Sequence, residues 1–248
     1  MSGFLPIFKR ELFSFFVTPL AWVVMTAFLV IQGLHFYVVL TNFATQVALN
    51  ADAGPVQTFF GQTVFLYIPI FFVCPVLTMR LFAEERRSGT LEPLMTVPVT
   101  TAGVVLGKYA AVVVAYAAIW LPTLVYMFIV SAAGHVDWNV VGTGYLAVMA
   151  VGAGYLAIGT MTSAVTDSQL AAAIMSAMVI MALFIMGIGE LILPEGPVRD
   201  VCGYVSVWAH MNDFSRGIVD SRRLVFDLTA IALPLFITVR AIDARRVE

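Results

Sequence analysis

The sequence predicts an all-α polytopic membrane protein with six transmembrane helices, and three observations carry that prediction. Apolar types make up 61% of the 248 residues, against roughly 45–50% in soluble domains. Charged types make up 11%, against about 25%, and the mean hydropathy is +0.96. The few charges leave long gaps: Glu11 to Asp52, Asp52 to Arg80, Lys108 to Asp137, Asp137 to Asp167 and Asp167 to Glu190. Each gap exceeds the ~20 residues that cross a ~30 Å hydrocarbon core as a helix. Alternating strand patterning is missing, so helices are preferred to a barrel. Spans are expected at 20–41, 59–80, 103–131, 140–163, 169–190 and 223–240 of a single domain, 1–248.

The same composition excludes several classes. So few charges cannot cover the surface of a soluble enzyme or a disordered tail. The net charge is −2 with no basic patch, so no nucleic-acid partner is expected. Two cysteines, Cys74 and Cys202, are too few for a metal cluster or a disulfide framework. No metal and no cofactor is expected on this chain.

The elements follow in order. In residues 1–19, Phe4, Leu5, Phe8, Leu12, Phe15 and Phe16 fall on one side of a helical wheel. Arg10, Glu11 and Ser14 fall on another, and Ile7 and Phe13 blur the pattern. Thr18-Pro19 then breaks the helix, which predicts an elbow helix lying in the membrane interface. The first span is too long for a cleaved signal and is read as an uncleaved anchor. The second is aromatic-rich: Phe59, Phe60, Phe65, Tyr67, Phe71 and Phe72 precede its charged end. These rings are expected to face lipid or neighbouring helices rather than a cargo.

Residues 81–102 form the longest charged connection. Arg80–Ser88 has good helix formers, and Gly89 suits a C-terminal cap. Thr90 suits a new N-cap, with Glu92 near its positive end. A short, stiff, capped helix pair at the membrane surface is expected there. Thr100 or Thr101 caps the third span. Gly103 and Gly107 read as a small-xxx-small helix contact. They do not read as a phosphate loop, because three residues separate them and Tyr109 stands where the magnesium-binding hydroxyl must be. Gly152, Gly154 and Gly159 are expected to allow close packing of the fourth span.

Residues 191–222 are rich in apolar and aromatic side chains, including Tyr204, Trp208, Met211 and Phe214. Such density on an aqueous face predicts one or two short re-entrant or interfacial helices, with His210, Asn212 and Asp213 as their polar edge. His35 is the one ionisable group expected well inside a span, where it reads as a packed residue rather than a proton relay. Glu190, Asp167 and Asp227 are placed at span ends. Ser131, Ser163 and Ser176 lack the surroundings of a nucleophile.

Orientation follows from Lys and Arg. With the N-terminus inside, the inner segments hold Lys9, Arg10, Arg80, Arg86, Arg87, Lys108, Arg240, Arg245 and Arg246. The outer segments hold only Arg199, Arg216, Arg222 and Arg223. Both termini are therefore expected to be cytoplasmic. With no energy source of its own, the bundle points to a subunit driven by a partner at its cytoplasmic face.

Leu77 to Thr100, with Glu84-Glu85, then Gly89-Thr90-Leu91-Glu92, then Pro98, resembles permeases of the ABC-2 exporter family. Lys9-Arg10-Glu11-Leu12 with Pro19, and His210 to Asp220, are similar to the gliding-motility (GldF-like) branch. The nitrous-oxide-reductase maturation permeases are more distant relatives. The resemblance implies a multi-pass protein of the bacterial cytoplasmic membrane. It also implies a dimer with a second copy or a paralogue, and one ATP-binding subunit per permease, which uses the ATP and Mg. It implies that Glu84, Glu85, Arg86, Arg87, Gly89, Thr90, Leu91 and Glu92 couple to the ATPase. Lys9, Arg10 and Glu11 would form the elbow, and Trp208, His210, Met211, Asp213 and Phe214 an extracytoplasmic gate. An extracytoplasmic auxiliary protein is a further possible partner. The leading expectation is a permease subunit that exports an unidentified substrate. The alternatives are a membrane transmitter that drives an outside partner with no substrate passing, and a channel or carrier that needs no partner.

Overall fold

The computed structural model describes residues 3–45, 54–61, 63–89, 99–134 and 136–246. It is all-helical among the described residues. Six helical stretches are long and apolar enough to cross a membrane: Pro19–Ala44, Val64–Arg87, Thr101–Ala133, Trp138–Val165, Gln169–Ile192 and Ser221–Ala244. The shortest has 24 residues, about 36 Å at 1.5 Å per residue. The chain is a multi-pass membrane protein.

Helix α1 (Phe4–Val17) and α2 (Pro19–Ala44) meet at Thr18, which is extended, with Pro19 opening the next helix. Thr18 Oγ1 donates to Ser14 O at 2.6 Å, and Trp22 Nε1 donates to Phe16 O at 2.8 Å, which fixes the bend. The bundle contacts of α1 differ from the expected wheel. Ile7 and Phe15 are buried, Glu11 lies between them at helical spacing, and Leu5, Phe13 and Phe16 point outward. The cause is a close approach to α6 (Thr101–Trp120): a Cβ on Gly107 would sit 3.1 Å from Phe4 O and 3.3 Å from Ile7. Gly103 makes no such contact, because the nearest atom to its Cβ position is Thr100 Oγ1 of its own N-cap.

The second span begins later than expected. Phe59 and Phe60 belong to a separate helix, α3 (Pro55–Gly61), and α4 starts at Tyr67 and runs to Thr78. Phe59, Phe60, Tyr67 and Phe71 are core residues, whereas Phe65 and Phe72 face outward. The short helix α5 (Ala83–Arg87) continues the span. The third span is α6 followed, after a single turn at Leu121–Thr123, by α7 (Leu124–Ala133).

Helix α8 (Trp138–Val165) is the central element and is capped by Asp137, whose Oδ1 accepts from Asn139 N at 2.9 Å. It packs against α4, α6, α9 (Gln169–Ile192), α11 (Val207–Ser215) and α12 (Ser221–Arg246). In a membrane there is little hydrophobic drive between helices, so close fit decides packing. Gly144, Gly152 and Gly159 supply it: a Cβ there would run into Phe60, Tyr116 and Thr78 respectively. Gly154 sits in ordinary contact with Ala230 at 3.6 Å. Between α9 and α12 the chain forms two short helices, α10 (Pro197–Val205) and α11, joined at Ser206.

Replacing Gly152 by valine must displace the buried Tyr116 ring, an overpacking cost of about 1–3 kcal/mol. Gly142→Val, at a position with nothing within 4 Å, is the control. A lower thermal unfolding midpoint and lower monodisperse yield for G152V than for G142V is the expected outcome, read by detergent gel filtration with heating.

Candidate functional site: the buried charge cluster at the α1 end

The connection after α4 starts with a cap made by a distant residue. Ser163 Oγ, on α8, accepts from Phe82 N at 3.1 Å and Ala83 N at 3.2 Å, and donates to Met79 O at 3.1 Å. One hydroxyl thus satisfies the amides that open α5 and a carbonyl that closes α4. Ser163, read from the sequence only as a rejected nucleophile, is the hinge pin of this junction.

The four charges of α5 divide between two faces. Arg86 turns inward. Its guanidinium donates to Ala164 O, to Thr166 O at 3.3 Å and to Asp167 Oδ1 at 2.8 Å. It thereby covers the carbonyl end of α8, where a cation is favoured. Glu85 also turns inward, accepting from Arg10 at 2.8 Å and pairing with Lys108 Nζ at 3.0 Å. Glu84 and Arg87 are exposed on the other face. Gly89, at φ +67, ends the helix in the left-handed conformation that glycine adopts without strain. Thr90, Leu91 and Glu92 lie outside the described residues.

Lys108 is the centre of the cluster, and the sequence reading missed it by counting it only as a topological charge. It is 1% exposed. Its ammonium donates to Glu11 Oε1 at 2.7 Å and Leu81 O at 2.8 Å, pairs with Glu85, and lies 5.3 Å from the Phe82 ring centre. All three of its protons have acceptors. Arg10 bridges the two carboxylates from the outside, 3.0 Å from Glu11. Two cations and two anions make the cluster neutral, which is the condition for burying charge at tolerable cost. Burial alone would raise the Glu11 carboxyl. The Lys108 ammonium and Arg10 guanidinium outweigh that and hold it below its ordinary 4.5. Lys9 points away from this cluster and is exposed.

The model of the ABC-2 family transporter proteins matches residues 5–194. The chain belongs to this family. The match runs from α1 through the fifth span and contains every residue of the charge cluster. ABC-2 members are membrane subunits of transporters and imply an ATP-binding partner subunit. No curated protein matches the chain.

At the opposite end of this ABC-2 bundle, α11 sits in a cradle of helices. Met211, Phe214 and His210 are buried, and Trp208 packs on Tyr67 with ring centres 5.5 Å apart. Thr143 Oγ1 of α8 donates to Phe214 O at 2.7 Å. Asp213 pairs with Arg223 at 3.3 Å, and Arg223 also donates to Gly203 O at 2.6 Å. His210 faces Asp227 at 3.3 Å. Burial, then the nearby Arg223 charge, pushes the His210 imidazole down to about 4. Asp227 lies near the start of α12 and is 6% exposed. Like Lys108, it is buried in the bundle. His35 itself is hydrogen-bonded to Gln32 at 3.1 Å and Thr63 at 2.5 Å and stacks on Phe59.

Lys108→Met leaves Glu11 and Glu85 facing each other without their shared cation, a change expected to cost about 3–5 kcal/mol. Combining it with Glu11→Gln and Glu85→Gln should recover most of the loss, and thermal unfolding of the three proteins decides it. The Glu11 carboxyl is held low in the folded state, so its stabilisation is complete above pH 4.5 and is lost as pH falls below that. Glu11→Gln should flatten the fall in unfolding temperature over that acidic window.

Proposed function

We propose that the chain is the permease subunit of an ATP-driven exporter, moved by a separate ATP-binding subunit docked on α5 and the segment that follows it. The observation that carries this reading is the division of α5 into two faces. Its inner face, Glu85 and Arg86, is bonded to α1, α6 and the end of α8. Its outer face presents Glu84 and Arg87. A partner gripping the outer face would move α4, α6 and α8 as one body, because the helix is too short and too well bonded to bend. ATP and Mg would belong to the partner, one copy per permease, with a second permease copy or paralogue completing the complex. The Lys and Arg distribution supports placing this end, and both termini, in the cytoplasm of a bacterial inner membrane. The motif spacing supports the gliding-motility branch.

The transmitter reading has one observation in its favour. A broad polar recess at the opposite end is lined by Glu190, Arg199, Asp200, Asp220, Arg222 and Arg223. That recess would suit an extracytoplasmic auxiliary protein.

Reversing both exposed charges, Glu84→Arg with Arg87→Glu, spares the buried cluster. The expected outcome is loss of ATPase co-purification and of ATP-dependent activity from a permease that remains monodisperse. Retention of both would remove the proposed docking role of α5.

A further inference from the structure

The two faces of α10 suit different surroundings. Val198, Val201 and Tyr204 share one face and are exposed. Arg199, Asp200 and Gly203 share the other face, which turns to the polar recess at this end of the bundle. An exposed apolar stripe on a short helix outside the spans belongs in the membrane interface. The recess lies at the same level, between the last residues of α9 and the first of α12. Hydrocarbon gives way to headgroups where spans end. The recess holds about 540 Å³ that water can enter, well within the roughly 300–1,000 Å³ of ligand pockets.

Its walls are tied together. Arg199 Nε donates to Glu190 O at 3.2 Å, joining α10 to α9. Arg223 donates to Gly203 O, and Tyr204 OH donates to Arg222 O at 3.4 Å, joining α10 to α12. These ties use backbone acceptors and leave charged side chains over. The Arg222 guanidinium and the carboxylates of Glu190 and Asp200 make no hydrogen bond or ion pair among the described residues. The lining as a whole is neutral, with Glu190, Asp200 and Asp220 against Arg199, Arg222 and Arg223. A net anion or a net cation gains little there, whereas a ligand with one charge of each sign finds a partner for both. We propose that this recess seats the headgroup of a zwitterionic phospholipid with a primary ammonium. The phosphate rests on Arg222 and Arg199, the ammonium rests on Glu190 and Asp200, and the acyl chains lie along the exposed apolar residues Leu191, Ile192, Val198 and Val201. A primary ammonium offers N–H donors to the carboxylates, and a quaternary choline head offers none. Binding is a property of this chain alone and does not depend on ATPase docking at α5. A seated headgroup would compete with the auxiliary protein of the transmitter reading.

The test uses the purified, delipidated full chain in detergent, with dihexanoyl phosphatidylethanolamine, phosphatidylcholine and phosphatidylglycerol as probes, read by native mass spectrometry. The ethanolamine lipid should bind saturably and about tenfold more tightly than the other two, as for one added charge-assisted hydrogen bond. Asp200→Asn should remove the preference over the choline lipid, and Arg222→Gln should weaken both zwitterionic lipids. Both side chains are exposed and take no part in the ties between α9, α10 and α12, so both variants should stay monodisperse. Equal affinity for the three lipids overturns the inference and leaves the recess to a protein partner. An ethanolamine preference that neither variant reduces overturns it as well, as does free phosphoethanolamine binding as tightly as the lipid. The headgroup comparison on the unsubstituted protein stands even where a variant does not fold.

Discussion

Lys108 places an ammonium where α1, the α4–α5 junction and α6 converge, and everything at that end of the bundle is arranged around it. A lone cation at 1% exposure would be too costly to keep. Glu11 and Glu85 neutralise it, Leu81 O takes its third proton, and Arg10 restores overall neutrality. The constraint is mutual: each carboxylate is tolerable in its half-buried place because the lysine is there. The elbow helix and the short α5 are therefore fixed to the same atom, although they are separated by about seventy residues of chain.

Central helix α8 links this cluster to the other end. Ser163 and the carbonyls after it hold α5, while Thr143, about five and a half turns away, holds α11 through Phe214 O. Between them, glycines at 144, 152 and 159 let α3, α6 and α4 press against the α8 backbone. A helix packed this closely transmits displacement rather than absorbing it. The physical route from a cytoplasmic partner to the far end would be this one helix, with no long-range flexible element needed.

The two ends differ in how their polar groups are satisfied. The α1 end is a nearly closed network of charge-assisted bonds, suited to holding a junction rigid. At the far end, separate pairs tie α11 to α12: Asp213 with Arg223 and His210 with Asp227. Rigidity sits at the end where a partner would push.

The sequence by itself determined five of the six spans, because a chain without charges for 20 residues or more has few places to go but a lipid core; the sixth, interrupted by Asp227 and carrying Pro234, gave a weaker signal. It also placed the break at Thr18-Pro19 and narrowed the cap of the third span to Thr100 or Thr101, which depend on local backbone chemistry; the structure shows Thr100 in that role. It could not determine which face of each helix turns inward. Lipid and protein interior are equally apolar, so the periodicity that reveals a soluble helix is erased. Glu11 was accordingly placed on the wrong side of α1, and Phe59 and Phe60 were absorbed into a span. Lys108 was legible only as one more positive charge, since its partners lie 97 and 27 positions away. Tertiary packing decided these points, because only the folded bundle brings opposite charges from distant helices within 3 Å of one another.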